Sequence, residues 1–220
     1  IDTGIDDFYN YIYAFGFGEK TNCGIPSEDS GEVIHRKYIR ESDLARIAFG
    51  ENITTTAIQM ANAFCAVING GTLMQPYVVD SITATDGTVI LQNEPTILRR
   101  VISSASSATM RSLLQSVATK GNGSNGQVIN YTTGGISGVS RKFEEDGVTP
   151  SRTRVVASYI GFLPVNDPQL VCMLVIEEPQ VPYMEAGSVA GYWVGQIFDD
   201  LVQYYGILPA EPRTVSYPYT

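Results

Sequence analysis

A helix with a signal at each end stands in the block FGENITTTAIQMANAFCAVINGGTLMQP, which runs from Phe49 to Pro76. Thr56 is a typical N-cap residue, and Gln59 follows at the spacing of a capping box, where its side chain can accept the N–H of the cap. Gly70 and Gly71 end the helix, because glycine takes the left-handed conformation that closes a helix at little cost. The apolar spacing predicts one buried face, made of Ala57, Ala61, Phe64, Cys65 and Ile68. The rest of the chain must supply a core for that face.

The other elements are predicted from their periodicity. Helical spacing of apolar residues predicts helices over Ile5–Phe15, Glu41–Ala48 (or a turn), Ser106–Thr119 and Gly187–Gly206. The third of these is predicted to bury Met110, Leu113, Leu114 and Val117, and the last to bury Ala190, Val194, Ile197, Leu201 and Tyr205. Alternation predicts strands over Val128–Ser140, Arg154–Leu163 and Leu170–Glu177, and a hairpin over Val78–Gln92 with a two-residue turn at Asp86-Gly87. Strands joined by short links pair antiparallel, so the predicted fold class is α+β, an antiparallel sheet backed by helices.

Length and composition indicate one domain over residues 1–220, because a chain of this length with 44% hydrophobic residues can bury a core. The formal net charge of −9 argues against nucleic acid and against an anionic membrane surface as partners, since both would repel the chain. No apolar run approaches the roughly 20 residues of a membrane span, and no signal peptide opens the chain.

Cysteine and histidine give little support to metal chemistry. Cys23, Cys65 and Cys172 are far apart and form no C-x-x-C pair, so they are predicted to be free structural thiols. His35 is the sole histidine, which argues against a His-rich metal site and against a Ser-His-Asp triad. The acidic run KFEED from Lys142 to Asp146 is expected to be a solvated loop between strands. The sequence therefore predicts no metal and no cofactor.

Five segments of the chain, in this order, resemble the transpeptidase domain of class B penicillin-binding proteins of the septal and sporulation type, which cross-link peptidoglycan. They are FYNYIYAFGFGEKTNCGIPSEDSG (Phe8–Gly31), the Phe49–Pro76 block, RVISSASSATMRSLLQSVATKGNGSN (Arg100–Asn125), ASYIGFLPVNDPQLVCMLVIEEP (Ala157–Pro179) and YYGILP (Tyr204–Pro209). The resemblance implies part of a penicillin-binding transpeptidase fold, which is β-lactamase-like.

Two motifs of that family do not occur in this sequence. The family acylates the serine of S-x-x-K, whose lysine activates the hydroxyl, and it carries a second motif, S-x-N. The residues three positions before the lysines are Phe17, Ile34, Val117 and Val139, so no S-x-x-K is present, and there is no S-x-N triplet. In family order both motifs would lie upstream of Ile1. The chain is therefore expected to be the C-terminal part of a transpeptidase domain, with no catalytic residue of its own.

The third family motif, K-[ST]-G on a strand lining the cleft, aligns with YTTGGISGVSRKF from Tyr131 to Phe143. The aligned residues, which form the candidate substrate-binding strand, are Gly135, Ile136, Ser137, Gly138 and Val139. Ile136 stands where the family has its lysine, and Val139 where it has a threonine. The resemblance implies that two of three polar side chains for the substrate carboxylate are replaced by apolar ones.

Two elements of this strand do not depend on its side chains. The resemblance implies that the backbone N–H of Val139 belongs to an oxyanion hole. The edge from Gly135 to Ser140 can pair with an extended peptide by β-addition. The alternative is an ordinary edge strand whose glycines allow close packing.

Three functions remain open. The first is the C-terminal portion of a peptidoglycan D,D-transpeptidase that is inactive on its own. The second is a non-catalytic homologue that binds peptidoglycan or divisome proteins as a scaffold, and the third is a purely structural interaction module. The resemblance implies a stem peptide or a β-lactam as ligand, and a place on the extracytoplasmic face of the cell membrane with the anchor outside this chain. An apolar face left open by the absent part is expected to support self-association. The aromatic end, Tyr204–Tyr219, is expected to pack on the domain or fray rather than bind carbohydrate.

Overall fold

The structure is a computed structural model that describes residues 4–48, 50–121, 123–146, 149–181 and 186–210. The chain divides into two compact units, Ile1–Ser107 and Ala108–Thr220, called the first and the second unit. That the two units together form one domain over residues 1–220 stays a prediction. The aromatic end, Tyr204–Tyr219, is expected to pack on the domain or fray. Most of it falls within residues 211–220, which lie outside the described residues.

The first unit contains helices α1 (Ile5–Ala14), α2 (Glu41–Ala48) and α3 (Ala57–Ile68), and a short 3-10 helix over Arg36–Tyr38. The predicted first helix is confirmed to within one residue. Asp6 and Asp7 lie in its first turn, where negative charge interacts favourably with the helix dipole. The helix buries Tyr9, and the chain leaves it through Gly16, whose φ of 85° suits glycine.

The capping box predicted at the start of α3 is confirmed. The Gln59 N–H donates to Thr56 Oγ1 at 3.2 Å, and the Thr56 N–H donates to Gln59 Oε1 at 2.9 Å. The other end of the Gln59 amide, Nε2, donates to the carbonyl oxygens of Glu19 at 2.8 Å and Ser30 at 2.7 Å. These bonds explain why a glutamine is 1% exposed.

The buried face of α3 differs from the prediction. Phe64 and Ile68 are buried as expected, but Ala57 is exposed, and Ala61 and Cys65 are only half-buried. The residues that are buried instead are Gln59, Ala63 and Ala66. The hydrogen bonds of Gln59 turn its side of the helix inward, and a pattern of apolar residues cannot reveal a polar residue that is buried in this way.

The strands of the first unit form three antiparallel pairs rather than one sheet. The pairs are β1 (Glu32–Val33) with β2 (Ile53–Thr54), β3 (Thr72–Met74) with β6 (Ile97–Arg100), and β4 (Ser81–Thr83) with β5 (Val89–Gln92).

The predicted hairpin is present as β4–β5, but its turn is longer than the predicted two residues. The Ala84 N–H donates to the Thr88 carbonyl at 2.8 Å, and the Gly87 N–H donates to the Ala84 carbonyl at 3.0 Å. Gly87 has a φ of 87°, which is typical of the residue that follows a type I turn in a three-residue connection. The Thr88 N–H also donates to Asp86 Oδ1 at 2.9 Å. The hydrogen bonds from Thr88 lower the pKa of the Asp86 carboxyl.

Helix α4 (Ser104–Lys120) confirms the predicted helix, but most of the predicted burial was wrong. Leu114 is buried, whereas Met110 is 37% and Leu113 55% exposed. The residues with the deepest burial are Ser107 and Ala118. The Gly70 N–H donates to the Ser107 hydroxyl oxygen at 3.0 Å within the first unit, so the small polar side of the helix turns inward there.

The second unit is a three-stranded antiparallel sheet with one long helix on it. The strands β7 (Gly134–Phe143), β8 (Pro150–Leu163) and β9 (Leu170–Glu177) pair in the order β7-β8-β9, and α5 (Ala186–Tyr204) follows. The core between sheet and helix includes Val128, Tyr159, Leu163, Ala190, Val194, Phe198, Val202 and Ile207. The prediction for β9 is confirmed at both ends, and β8 begins four residues before its predicted start.

Strand β7 begins later than predicted, because the residues before it bind other partners. The Tyr131 hydroxyl donates to the Ile207 carbonyl at 2.8 Å. The Val165 N–H donates to the Thr132 carbonyl at 3.1 Å. These bonds hold the segment away from the ladder with β8, so only Gly134 and later residues pair.

The buried face of α5 was predicted partly wrong. Ala190 and Val194 are buried as expected, but Ile197 is 38% and Tyr205 62% exposed. Phe198 and Val202 take their places in the core. The predicted and the observed sets of buried residues both follow helical spacing. Only the position of the sheet decides which set is buried.

The α+β fold class is confirmed. Among the helices of the described residues, none combines the length and the apolar character that crossing a membrane needs.

Candidate functional site

The five predicted site residues lie together on β7, at the edge of the sheet. Strand β7 pairs with β8 alone among the described strands, so its other edge has no strand partner there. The register places Ile136 opposite Ile160, Ser137 opposite Tyr159 and Gly138 opposite Ser158. A strand with a free edge can accept an extended peptide through its backbone.

Two aromatic rings require glycine at the start of this strand. A Cβ on Gly135 would meet the Tyr159 hydroxyl, and one on Gly134 would meet the ring of Phe162. Tyr159 is 1% exposed, and its hydroxyl donates to the Gly123 carbonyl at 3.0 Å. Burial raises the pKa of Tyr159 to about 12. Packing against these rings therefore explains Gly134 and Gly135, whether or not the strand binds a ligand.

The side chains of the candidate strand divide between the two faces of the sheet. A Cβ on Gly187 of α5 would lie 3.0 Å from Ser137 Cβ and 3.5 Å from Val139 Cγ2, so these two residues face the helix. Alternation along a strand puts Ile136 and Gly138 on the opposite face. Ile136 is 44% exposed there.

The two apolar replacements have different surroundings. Val139 packs against the buried pair Val155 and Ala157, together with Val181. Its side chain is therefore half-buried against the core and has a structural use. Ile136 instead presents an apolar side chain to solvent, on a strand edge.

Ser137 is the one candidate site residue with a side-chain hydroxyl. It lies between the sheet and the first turn of α5, with its Oγ 3.2 Å from the place of a Cβ on Gly187. Among the described residues this hydroxyl has no hydrogen-bond partner. It is free to donate to a ligand.

Charged side chains gather at the far end of β7, and they pair with one another. Lys142 Nζ lies 3.0 Å from Glu177 Oε2 and 2.9 Å from Glu178 Oε1. The bonds to Glu178 and Glu177 raise the pKa of Lys142, and the bond from Lys142 lowers that of Glu178. Glu144 pairs with Arg154 at 3.0 Å, and its pKa is lowered by the Ser151 hydroxyl and by Arg154.

The secondary structure of the KFEED run, Lys142 to Asp146, differs in part from the predicted loop. Lys142 and Phe143 belong to β7 rather than to a loop, because β7 bulges between Arg141 and Phe143 and continues. Among residues 4–181 and 186–210, apart from those the structure leaves out, no group of three or more His, Cys, Asp or Glu could hold a metal ion. Cys23, Cys65 and Cys172 are free thiols, and burial raises the pKa of Cys65 and Cys172.

Sequence reasoning missed two features. One is the anchoring of Tyr159 behind the candidate strand, for which the nearby glycines were the only signal. The other is a pair of cavities of about 370 and 210 Å³ in the first unit, which share Asn22 and Gln75 and are lined by none of the five predicted site residues. No periodicity predicts them, because their walls come from distant segments.

Comparison with known proteins identifies the family. A family model described as the penicillin-binding protein transpeptidase domain matches residues 1–202, and the chain therefore belongs to that family. Among its relatives, Stage V sporulation protein D of Bacillus subtilis is 33% identical over 210 residues, which cover 94% of this chain and 32% of that protein. The peptidoglycan D,D-transpeptidase FtsI homolog of Mesostigma viride is 25% identical over 228 residues, covering 96% of this chain and 38% of that protein. The chain thus spans about a third of the length of these curated relatives.

Solved structures agree on the fold. Penicillin-binding protein 3 of Mycobacterium tuberculosis, complexed with ampicillin, superposes with a TM-score of 0.86 at 22% identity, covering 96% of this chain and 48% of that one. The apo transpeptidase domain of Burkholderia pseudomallei penicillin-binding protein 3 superposes with a TM-score of 0.83 at 24% identity, covering 96% and 60%. The expected partial penicillin-binding transpeptidase fold is confirmed.

Proposed function

We propose that this chain is the C-terminal portion of a peptidoglycan D,D-transpeptidase of the class B type, and that it is not catalytic on its own. Its role is to supply the strand that holds the substrate, while the serine nucleophile comes from a part of the enzyme that precedes these residues. The observation that supports the proposal is that Gly135, Ser137 and Gly138, which we align with the family motif, lie on the edge strand β7, with Ile136 aligned to the motif's lysine.

The reaction proposed for the whole enzyme is acyl transfer between two stem peptides. A serine hydroxyl attacks the carbonyl that joins two D-alanines, the terminal D-alanine leaves, and an amine of a neighbouring stem then takes the acyl group from the serine. In this chain, the free edge of β7 would pair with the extended stem, and the Val139 N–H would donate to the oxyanion. The Ser137 hydroxyl would donate to the terminal carboxylate.

Ile136 removes one interaction from that scheme. A lysine would pair with the carboxylate and assist proton transfer, whereas an isoleucine offers neither a charge nor a donor. The loss of one such contact in a catalytic cleft costs about 3–4 kcal/mol, or about 10²–10³ in rate. The same loss would weaken the binding of a β-lactam, whose carboxylate occupies the same place.

A second candidate function is a non-catalytic homologue that binds peptidoglycan or divisome proteins. The packing of the half-buried Val139 against Val155 and Ala157 favours it, because this position contributes to packing rather than to a polar site. In both cases we propose an extracytoplasmic location, with the membrane anchor outside these residues.

Fluorescent penicillin labelling with intact-mass analysis tests the proposal. This chain should stay unlabelled, and the whole protein should gain the mass of one acyl group on a serine outside these residues. A labelled serine within this chain would contradict the proposal. A whole protein that is folded and unlabelled would favour the non-catalytic homologue.

Two substitutions at Ile136 test whether the acylation rate depends on the charge or on the size of this side chain. In the whole protein, Ile136→Lys should raise the acylation rate by about 10²-fold, because it restores the cation. Ile136→Met is the matched control, since it has similar length and no charge, and it should leave the rate within about twofold. Equal rates in the two variants would show that the missing charge is not what limits acylation.

A further inference from the structure

The β4–β5 hairpin of the first unit exposes an unusual amount of apolar surface for so small an element. Val89 is 58% exposed, Ile90 67%, Ile82 45% and Leu91 40%. The hairpin forms a two-stranded ladder, and no other described strand pairs with either of its outer edges. A two-stranded hairpin of this kind is marginally stable by itself, and its free edges can template another strand.

A preformed cavity of about 370 Å³ lies beside one face of this hairpin. Ile82 and Leu91 oppose each other in the register, and both line the cavity together with Val79 and Tyr77. Ile90, the neighbour of Leu91 on β5, does not line it. Of the two neighbouring apolar residues Ile90 and Leu91 of β5, only Leu91 therefore contacts the cavity.

Hydrogen bonds connect the residues at the floor of the cavity. Gln75 Nε2 donates to the carbonyl oxygens of Thr21 at 2.7 Å, Asn22 at 3.2 Å and Pro76 at 3.1 Å. The Val78 N–H donates to the Cys23 carbonyl at 3.0 Å. A floor fixed in this way loses little entropy when a ligand binds. The volume also falls within the roughly 300–1,000 Å³ of ligand sites.

The charges around the hairpin are all negative. Residues 77–96 contain Asp80, Asp86 and Glu94, and no lysine or arginine. Glu94 is the one charged residue that lines the cavity, and in the described part of the chain nothing pairs with its carboxylate. Edge strands are usually protected by lysine or proline, and neither occurs within β4 or β5. A second copy of the hairpin would bring like charges together.

We propose that the β4–β5 hairpin and its cavity form a docking site for an extended segment of a partner protein that alternates apolar and basic side chains. The segment adds a strand to the free edge of the hairpin, places an apolar side chain in the cavity, and sets a cation beside Glu94. The backbone pairing supplies affinity, and the cavity and the carboxylates supply specificity.

The test uses the full chain and a fluorescein-labelled synthetic peptide of alternating lysine and valine, KVKVKV with blocked ends, followed by fluorescence anisotropy. The double variant Asp80→Asn with Glu94→Gln should raise its Kd about tenfold. Asp199→Asn with Asp200→Asn on α5 is the matched control, because it changes the net charge equally and should raise Kd by less than about twofold. An equal effect of the two double variants would reduce the binding to general attraction and overturn the proposal.

Two further comparisons test the cavity and the strand edge. Leu91→Ser should weaken binding about fivefold, whereas Ile90→Ser should not, because only Leu91 lines the cavity. The same peptide with alternate N-methyl groups lacks donors on one edge, and it should lose binding. Undiminished binding of the methylated peptide, or of a peptide with glutamate in place of lysine, would rule out the proposed mode. Circular dichroism confirms that each variant is folded.

Discussion

At the scale of single residues, Tyr159 connects the candidate strand to the core of the second unit. Its ring lies opposite Ser137 in the register, and its hydroxyl donates to the Gly123 carbonyl at 3.0 Å. The buried ring therefore supports β7 from behind, and the hydroxyl fixes the glycine loop that precedes the strand.

Removal of this hydroxyl should destabilise the chain. We expect Tyr159→Phe to lower the free energy of unfolding by about 1–2 kcal/mol, because the Gly123 carbonyl then loses its donor while the ring stays buried. Urea unfolding at pH 7 measures the loss. Tyr192→Phe is the control, since Tyr192 is 52% exposed, and an equal loss in both variants would contradict this role.

The raised pKa of Tyr159 predicts a pH dependence. A tyrosine with a pKa of 10.0 in the unfolded chain and about 12 in the folded chain loses its proton first in the unfolded state. Its contribution is fully present below pH 10 and is lost as the pH rises through about 12, by up to roughly 3 kcal/mol. The stability difference between the wild-type chain and Tyr159→Phe should therefore shrink or reverse over this window. A constant difference from pH 8 to pH 11.5 would show that the folded pKa is not raised.

At the scale of elements, α3 depends on one glutamine more than on its N-cap. Thr56→Ala removes one cap bond and should cost about 1 kcal/mol, and Thr56→Ser should cost little, because serine caps equally well. Gln59→Ala removes the bonds to Thr56, Glu19 and Ser30 and leaves two partly buried carbonyls without this donor, so it should cost about 2–4 kcal/mol. Thermal or urea unfolding ranks the three variants. A smaller loss for Gln59→Ala than for Thr56→Ala would contradict the account of the buried face.

Helix α5 packs so closely on the sheet that the same substitution should have different effects at two of its glycines. A Cβ on Gly191 would lie 3.1 Å from Tyr159 Cδ2, whereas one on Gly195 would be in ordinary contact at 3.4 Å from the Asn125 carbonyl oxygen. Alanine favours a helix by about 1 kcal/mol over glycine. Gly195→Ala should therefore stabilise the chain, and Gly191→Ala should be less stable than it by about 1–2 kcal/mol.

The two variants differ only in position, so each is the control of the other. Chemical unfolding of the second unit gives the difference. Equal stabilisation by both substitutions would mean that the Tyr159 ring yields easily, and would weaken its role as a rigid support.

At the scale of the whole molecule, the sheet of the second unit exposes two apolar side chains on the face opposite α5. The register aligns Ile136 with Ile160 and Met173 in one row, and Gly138 with Ser158 and Val175 in the next. Ile136 is 44% and Val175 42% exposed, whereas Ile160 is buried. We propose the exposed part of this face as the surface of the predicted self-association.

We expect the folded monomer to bind an apolar-sensitive fluorescent dye and to associate at high concentration in sedimentation experiments. Ile136→Thr with Val175→Thr should reduce both effects, because it makes this face more polar. Ile129→Thr with Leu208→Thr is the matched control, since it removes two apolar residues that are 77% and 83% exposed elsewhere. Absence of dye binding by a folded monomer would end this proposal.

The sequence by itself determined the features that depend on local interactions. The capping box of α3, the extent of β9 and the α+β class could all be predicted, because each depends on residues close together in the chain or on its wording. The turn at Gly87 was predicted in place but not in length, since a type I turn with a left-handed glycine and a two-residue turn share the same residues.

Only the tertiary structure decided which faces are buried. Gln59 turns inward because its partners, Glu19 and Ser30, arrive from 40 and 29 residues away in the chain. Phe198 rather than Ile197 enters the core because the sheet lies on that side of α5. The burial of Val139 and the cavity beside Leu91 have the same origin. Contacts over such separations depend on how distant segments pack, and helical or strand periodicity carries no record of them.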